Sequence, residues 1–167
     1  MRALDPYHVT DKLEETVLEA IVTRLEARDK YPFFQHVLAE YLDAMSIDAA
    51  ATVLDMGCGT GIAARTIARR PHLVGTVMGI DLSPYLAQTA ARLAAAEGLG
   101  KRMTFRTGDT RRLDCSEGTF DAVVAHTLVS HVDDLRVVLQ EAARVVKPGG
   151  VVGLFAGDYA SMTFTLQ

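Results

Sequence analysis

The sequence predicts an α/β fold: a doubly wound, mostly parallel sheet with helices on both faces, preceded by N-terminal helices. Three observations predict it. From Thr52 onward, short apolar runs alternate with stretches of helical periodicity, the pattern of strands covered on both faces by crossover helices. The first of these runs passes into a loop with three glycines in five residues and then into an alanine-rich helix. Finally, Asp55, Asp81, Asp109, His126 and Asp158 each fall at or just past the end of a different predicted strand, the edge where open parallel sheets bind ligands. A chain of 167 residues holds one domain with a proper core and is too short for two. The expected division is a helical extension over residues 1–48, followed by a core over residues 49–167.

In the extension, Leu13, Val17, Ile21 and Leu25 fall on one stripe with Leu18 and Val22 beside it, and Asp11 with Glu14 has the spacing of a capping box. Tyr31-Pro32 breaks that helix, because a residue before proline disfavours the α region. Pro32 can open a second helix with Phe34, Val37, Leu38, Tyr41, Leu42 and Met45 on its apolar face. The core starts with a strand ending at Val53 and Leu54. A second strand covers residues 77–80 and ends at Asp81-Leu82, where Ser83 is a good N-cap and Pro84 a good first helical residue. The helix after it stops at Gly98 and Gly100. Residues 103–106 and 120–125 read as strands three and four. Leu135, Val138, Leu139, Ala142 and Val145 or Val146 then mark a helix, ended by the turn at 147–150, and residues 151–155 form strand five.

The glycine loop, residues 57–61, is the first candidate site. Glycine permits positive φ and removes Cβ atoms where a ligand lies on the backbone, and the following helix points its free N–H groups at that loop. Two ligands compete for it. Gly59-x-Gly61-x-x-Ala64 satisfies a dinucleotide fingerprint, with Asp81 placed to bind a ribose. Asp55 argues against a pyrophosphate there, because its carboxylate would repel one; it suits a cationic ligand. Asp81 fits either reading, since a carboxylate can accept from both ribose hydroxyls, and Leu82 beside it offers an apolar face to an adenine.

The run Leu54-Asp55-Met56-Gly57-Cys58-Gly59-Thr60-Gly61 resembles the first motif of the S-adenosylmethionine-dependent methyltransferases with a Rossmann-like fold. The resemblance extends through residues 79–83, Gly108-Asp109, residues 120–124 and residues 141–150, and it is closest to the small-molecule branch, such as ubiquinone- and menaquinone-type enzymes. It implies S-adenosyl-L-methionine as cofactor and a small-molecule methyl acceptor. It also implies that Asp55 helps to hold the amino acid end, that Asp109 accepts from the adenine amino group with Thr110 N–H near the ring, and that Gly57, Cys58, Gly59, Gly61, Asp81, Leu82, Gly108 and His126 belong to the same cofactor site. His131 is the candidate base, and Tyr31, His131, Asp158 and Tyr159 are candidates for the acceptor side. The N-terminal helices are expected to act as a lid, with Tyr7, Tyr31 and Phe33 in contact.

Composition restricts the alternatives. A net charge of −4 leaves no electrostatic footprint for a nucleic-acid backbone or an anionic membrane, and the Asp/Asn-Pro-Pro-aromatic cluster of DNA-adenine methyltransferases is absent after the fourth strand. Cys58 and Cys115 are too few for a zinc site or disulfide framework, so no metal is expected and a cytoplasmic location is. A nicotinamide-dependent oxidoreductase and a non-catalytic S-adenosylmethionine-binding module are the competing readings. The resembled fold usually has seven strands. After strand five only residues 157–167 remain, with an edge strand expected at 161–166. The C-terminal strands therefore read as missing, the chain as a fragment, and the free sheet edge as a place for homo-oligomerisation.

Overall fold

The computed structural model describes residues 5–49 and 51–157. The first element among the described residues is a 3-10 segment, Pro6–Lys12, followed by α1 (Glu15–Asp29) and α2 (Pro32–Ala44). Strand and helix then alternate: β1 (Thr52–Met56), α3 (Ile62–Ala68), β2 (Thr76–Asp81), α4 (Pro84–Ala96), β3 (Met103–Thr107), β4 (Phe120–His126), a 3-10 turn at Leu128–His131, α5 (Leu135–Val145) and β5 (Val146–Phe155). Among the described residues the sheet has five strands in the order β3-β2-β1-β4-β5, and every neighbouring pair is parallel. Strand order reverses between β1 and β4, which places the binding crevice beyond the end of β1. The edge strand expected at 161–166 lies outside the described residues.

Alternation along each strand divides the core into two layers. Val53, Val77 and Val124 face α2 and α3, where Leu38, Leu42, Ala64 and Ile67 are buried. Leu54, Met56, Ile80 and Val123 face α5 through Val138, Ala142 and Val145. A third, smaller cluster of Leu18, Ile21 and Leu86 seats α1 on α4. None of the described helices is long and apolar enough to cross a membrane.

Three local expectations need correction. Of the stripe expected on α1, Leu18 and Ile21 are buried with Leu13, Val22 and Leu25 packed against them, but Val17 is exposed. No capping box forms: Asp11 belongs to the 3-10 segment, and α1 is capped by Glu14 without a side-chain hydrogen bond. The turn at 147–150 does not precede the fifth strand but interrupts it. Phe120 pairs with Val146 and Ala122 pairs with Val151, so four residues leave the strand and return to the same neighbour, pinned where Lys147 meets Asp121 at 2.7 Å.

Candidate functional site

The carboxyl ends of β1, β2 and β4 form the floor of a cavity of about 720 Å³. Its opposite wall comes from the N-terminal region through Tyr7, Leu25, Arg28, Phe33, Phe34 and Val37.

On the floor, the glycine loop turns through left-handed backbone at Gly57 (φ 66°), Gly59 (φ 54°) and Gly61 (φ 80°), conformations that glycine takes at no steric cost. The space a Cβ would fill is not left for a ligand as expected. Leu128 Cδ1 lies 2.6 Å from that point at Gly57, Leu25 Cδ1 3.3 Å at Gly59 and the Phe105 ring 2.9 Å at Gly61. Glycine is therefore required by the protein's own packing as well as by φ. The N–H of Ala64, in the first turn of α3, donates to Asp55 Oδ2 at 3.1 Å, so the helix terminus expected to face a ligand is partly occupied by the protein's own carboxylate. Burial, with Asp81 nearby, pushes the Asp55 carboxyl up to about 7. Asp81 is also buried and raised for the same reason. Its Oδ2 accepts from Gly59 N–H at 2.8 Å and its Oδ1 from Ser83 N–H at 2.9 Å, which ties the end of β2 to the glycine loop. Each oxygen keeps a second lone pair for a hydroxyl donor. Neither carboxylate has a cationic side-chain partner among the described residues.

The other candidates separate into two groups. Cys58, Leu82, Asp109, Thr110, His126 and His131 line the cavity. The Cys58 thiol is pushed up by burial and by Asp55 and Asp81, which removes it as a nucleophile. Asp109 is already engaged, since the Arg111 guanidinium grips its carboxylate at 2.7–3.1 Å and holds it below the usual carboxylate range. His126 stacks on Phe155 at 4.9 Å, burial lowers it to about 4, and its Nδ1 has no hydrogen-bond partner; it is a neutral ring at the cavity floor. Gly61, Gly108 and Tyr31 do not line the cavity. Gly61 caps α3, Gly108 donates its N–H to the Asp81 carbonyl at 2.9 Å, and Tyr31 is an exposed cap of α2. Phe33 and Phe34, two and three residues further on, line the cavity. Asp158 and Tyr159 lie outside the described residues.

His131 and Tyr7 are candidates from the sequence, but their pairing with Asp5 is not, and Asp5, Arg28, Arg65 and Thr127 carry no signal there. His131 Nδ1 lies 2.6 Å from Asp5 Oδ2, across 126 positions of chain, and the Tyr7 ring rests on the same imidazole at 4.6 Å. Arg28 reaches over the Phe34 ring at 5.6 Å and contributes to lowering His126. Buried Arg65 on α3 joins Glu26 of α1, at 2.6 Å, to Glu97 beyond α4. Thr127, just past β4, has φ 67°, costly for a β-branched residue. Periodicity could not have found any of these, because each depends on where distant elements dock. No group of three or more His, Cys, Asp or Glu among the described residues is placed to hold a metal.

Two buried carboxylates without cationic partners, set at adjacent strand ends, fit the ammonium and ribose of an S-adenosylmethionine-type ligand. They fit a dinucleotide pyrophosphate poorly. An open parallel sheet with that floor defines a Rossmann-like ligand-binding protein. Residues 53–150 match the family described as a methyltransferase domain, and the chain belongs to that family, of the S-adenosylmethionine-dependent class. It is 37% identical over 130 residues to sterol 24-C-methyltransferase erg6 of Aspergillus fumigatus, covering 74% of this chain and 33% of that protein. It is 34% identical over 131 residues to the ubiquinone biosynthesis O-methyltransferase of Xanthomonas axonopodis pv. citri, covering 78% and 53%. Among solved structures, geranyl diphosphate methyltransferase in complex with GPP and sinefungin superposes with a TM-score of 0.64 at 25% identity, over 70% of this chain and 42% of that one. The chain thus spans from a third to about half the length of these relatives.

Proposed function

We propose that this chain binds S-adenosyl-L-methionine and serves an enzyme that transfers its methyl group to a small-molecule acceptor. One observation carries the reading: buried Asp55 and Asp81 stand unneutralised at the floor of the cavity. Asp55 would hold the ammonium and Asp81 the ribose hydroxyls, with Leu82 and Thr110 beside the adenine and Asp109 near its amino group. When bound, the cofactor supplies a methyl group on a sulfonium, which is already an activated leaving group.

The protein's share is then to align and to manage protons. The floor fixes one reactant, and the residues of Pro6–Ala44 serve as a lid that excludes water and presents Phe33, Phe34 and Val37 to an apolar acceptor body. Alignment of two reactants contributes about 7–11 kcal/mol in the best cases. Where the acceptor carries a proton at neutral pH, His131 is placed to take it. His126 stays neutral and adds no charge beside the sulfonium. A net charge of −4 supports a small molecule over a nucleic acid as acceptor. The relatives named for a sterol and for ubiquinone biosynthesis support the same class.

Titration calorimetry with S-adenosylhomocysteine, NAD and NADP tests the cofactor. Binding of the first alone is expected, and binding of NAD in its place would overturn the reading. A screen of metabolite extracts with methyl-labelled cofactor identifies the acceptor.

A further inference from the structure

His131 sits on the 3-10 turn after β4 and lines the cavity. The turn does not hold its ring. The holding contacts come from the other end of the chain: Asp5 Oδ2 lies 2.6 Å from Nδ1 and Tyr7 packs on the ring face. Three further contacts fasten that N-terminal segment. Asp5 Oδ1 accepts from Tyr7 N–H at 3.0 Å, Arg24 of α1 donates to Tyr7 Oη at 2.5 Å, and His8 lies 3.4 Å from Asp133, two residues beyond His131. His131 Nε2 has no partner among the described residues.

A carboxylate accepts only, so the nitrogen it faces must carry the proton. With Asp5 at Nδ1, the neutral ring is fixed as the Nδ1–H tautomer and Nε2 is left with its lone pair. We propose that Asp5 is the positioning residue for His131, so that seating the N-terminal segment on the cavity sets the imidazole in the tautomer that can accept a proton at Nε2. The proposal rests on the reading of His131 as proton acceptor. An acceptor O–H or N–H gives its proton to Nε2 and keeps the bonding electron pair as a nucleophile. The imidazolium that forms is offset by the Asp5 carboxylate, which itself stays ionised. The base would then be complete only when the wall of the cavity is in place, which ties deprotonation to closure over the acceptor.

The test needs no knowledge of the acceptor. Long-range 1H–15N spectra of the full chain, recorded at a pH where the imidazoles are neutral, report the tautomer of each histidine, with His131→Gln assigning the signal. The Nδ1–H form of His131 is expected in the wild type. Asp5→Ala should lower the ratio of Nδ1–H to Nε2–H by about tenfold or more, the effect of losing a hydrogen bond to a charged group, and Asp5→Glu should restore part of it. A far-UV circular dichroism spectrum and a cooperative thermal transition matching the wild type show that the Ala variant is folded. A His131 that is Nε2–H in the wild type, or that stays Nδ1–H in Asp5→Ala, overturns the proposal. Failure of S-adenosylhomocysteine to bind the wild type would instead overturn the cofactor reading and leave the tautomer result standing.

Discussion

The floor and the wall of the cavity satisfy their charges in opposite ways. On the floor, Asp55 and Asp81 are buried, raised, and bonded only to backbone N–H groups. On the wall, Asp5 is held below the usual range through its hydrogen bond with His131, although burial opposes this. Glu26 of α1 closes on Arg65. The floor therefore holds its carboxylates without a protein cation, whereas the wall uses Asp5 and Glu26 to dock itself. Buried carboxylates with no cation are costly in the free protein, and a binding site is where such a cost serves a purpose.

The largest expected effect tests whether the wall is docked by charge. Arg65→Ala leaves Glu26 without its cation, while Glu97 keeps Arg69 at 2.6 Å. The buried arginine should cost about 3 kcal/mol of stability in urea unfolding, near the low end for breaking a buried pair, because both glutamates keep some solvent. Hydrogen exchange should rise in α1 and not in β1; equal loss in both would mean that floor and wall are one unit.

The next prediction tests the floor. Asp81→Ala should weaken S-adenosylhomocysteine binding by about 1.5–3 kcal/mol. The Gly59 and Ser83 N–H groups lose an acceptor as well, so some stability goes with it. Unchanged affinity in a folded variant would remove Asp81 from the ribose position.

Acidity sharpens the contrast further. Folded Asp55, at about 7, holds a proton that an unfolded aspartate releases near 3.8, so its contribution to stability rises as pH falls from 7 towards 4. Folded His126, at about 4, lacks a proton that an unfolded histidine takes up near 6.5, so its contribution falls over nearly the same window. The two offset each other. Asp55→Asn should expose a steeper loss of stability between pH 6.5 and 4 than in the wild type, and His126→Gln should give a shallower one. Cofactor binding has no such offset. With Asp55 as the proposed ammonium partner, S-adenosylhomocysteine affinity should rise about tenfold per pH unit up to about 7 and then level, a dependence that Asp55→Asn should abolish.

The smallest effect concerns the seam between floor and wall. Thr127 holds a positive φ between β4 and the turn that carries His131. Thr127→Gly should stabilise the protein by about 1 kcal/mol as that strain is relieved. No gain would mean that contacts of the threonine side chain outweigh it.

The same division governs what could be read from the sequence. All five strands, the glycine loop, and the N-cap at Ser83 follow from local pattern. The pairs that shape the floor are close in the chain, with Asp55 to Ala64 nine positions apart and Asp81 to Gly59 twenty-two. The wall was legible as helices and in two contact residues, Tyr7 and Phe33, which line the cavity. That Val17 is left exposed on α1 depends on how the helix lies on α4, and the partner of His131 lies 126 positions away. Asp109 falls between these cases. Its place at the end of β3 is legible, but Arg111 two residues on takes its carboxylate by an ion pair that a strand-end pattern does not encode.

The four-residue excursion within β5 has a practical consequence. Val146 and Val151 register on the same partner strand on either side of it, at the end of the sheet opposite the cavity, so the sheet does not measure how many residues lie between them. Gly149 has open space around it, whereas Gly150 is pressed against the Asp121 carbonyl. An insertion between Pro148 and Gly149 would leave Lys147 on Asp121 and Gly150 in its niche. A fluorophore, affinity handle or surface tether could be grafted at that point, as far from the reacting end of the molecule as the sheet permits.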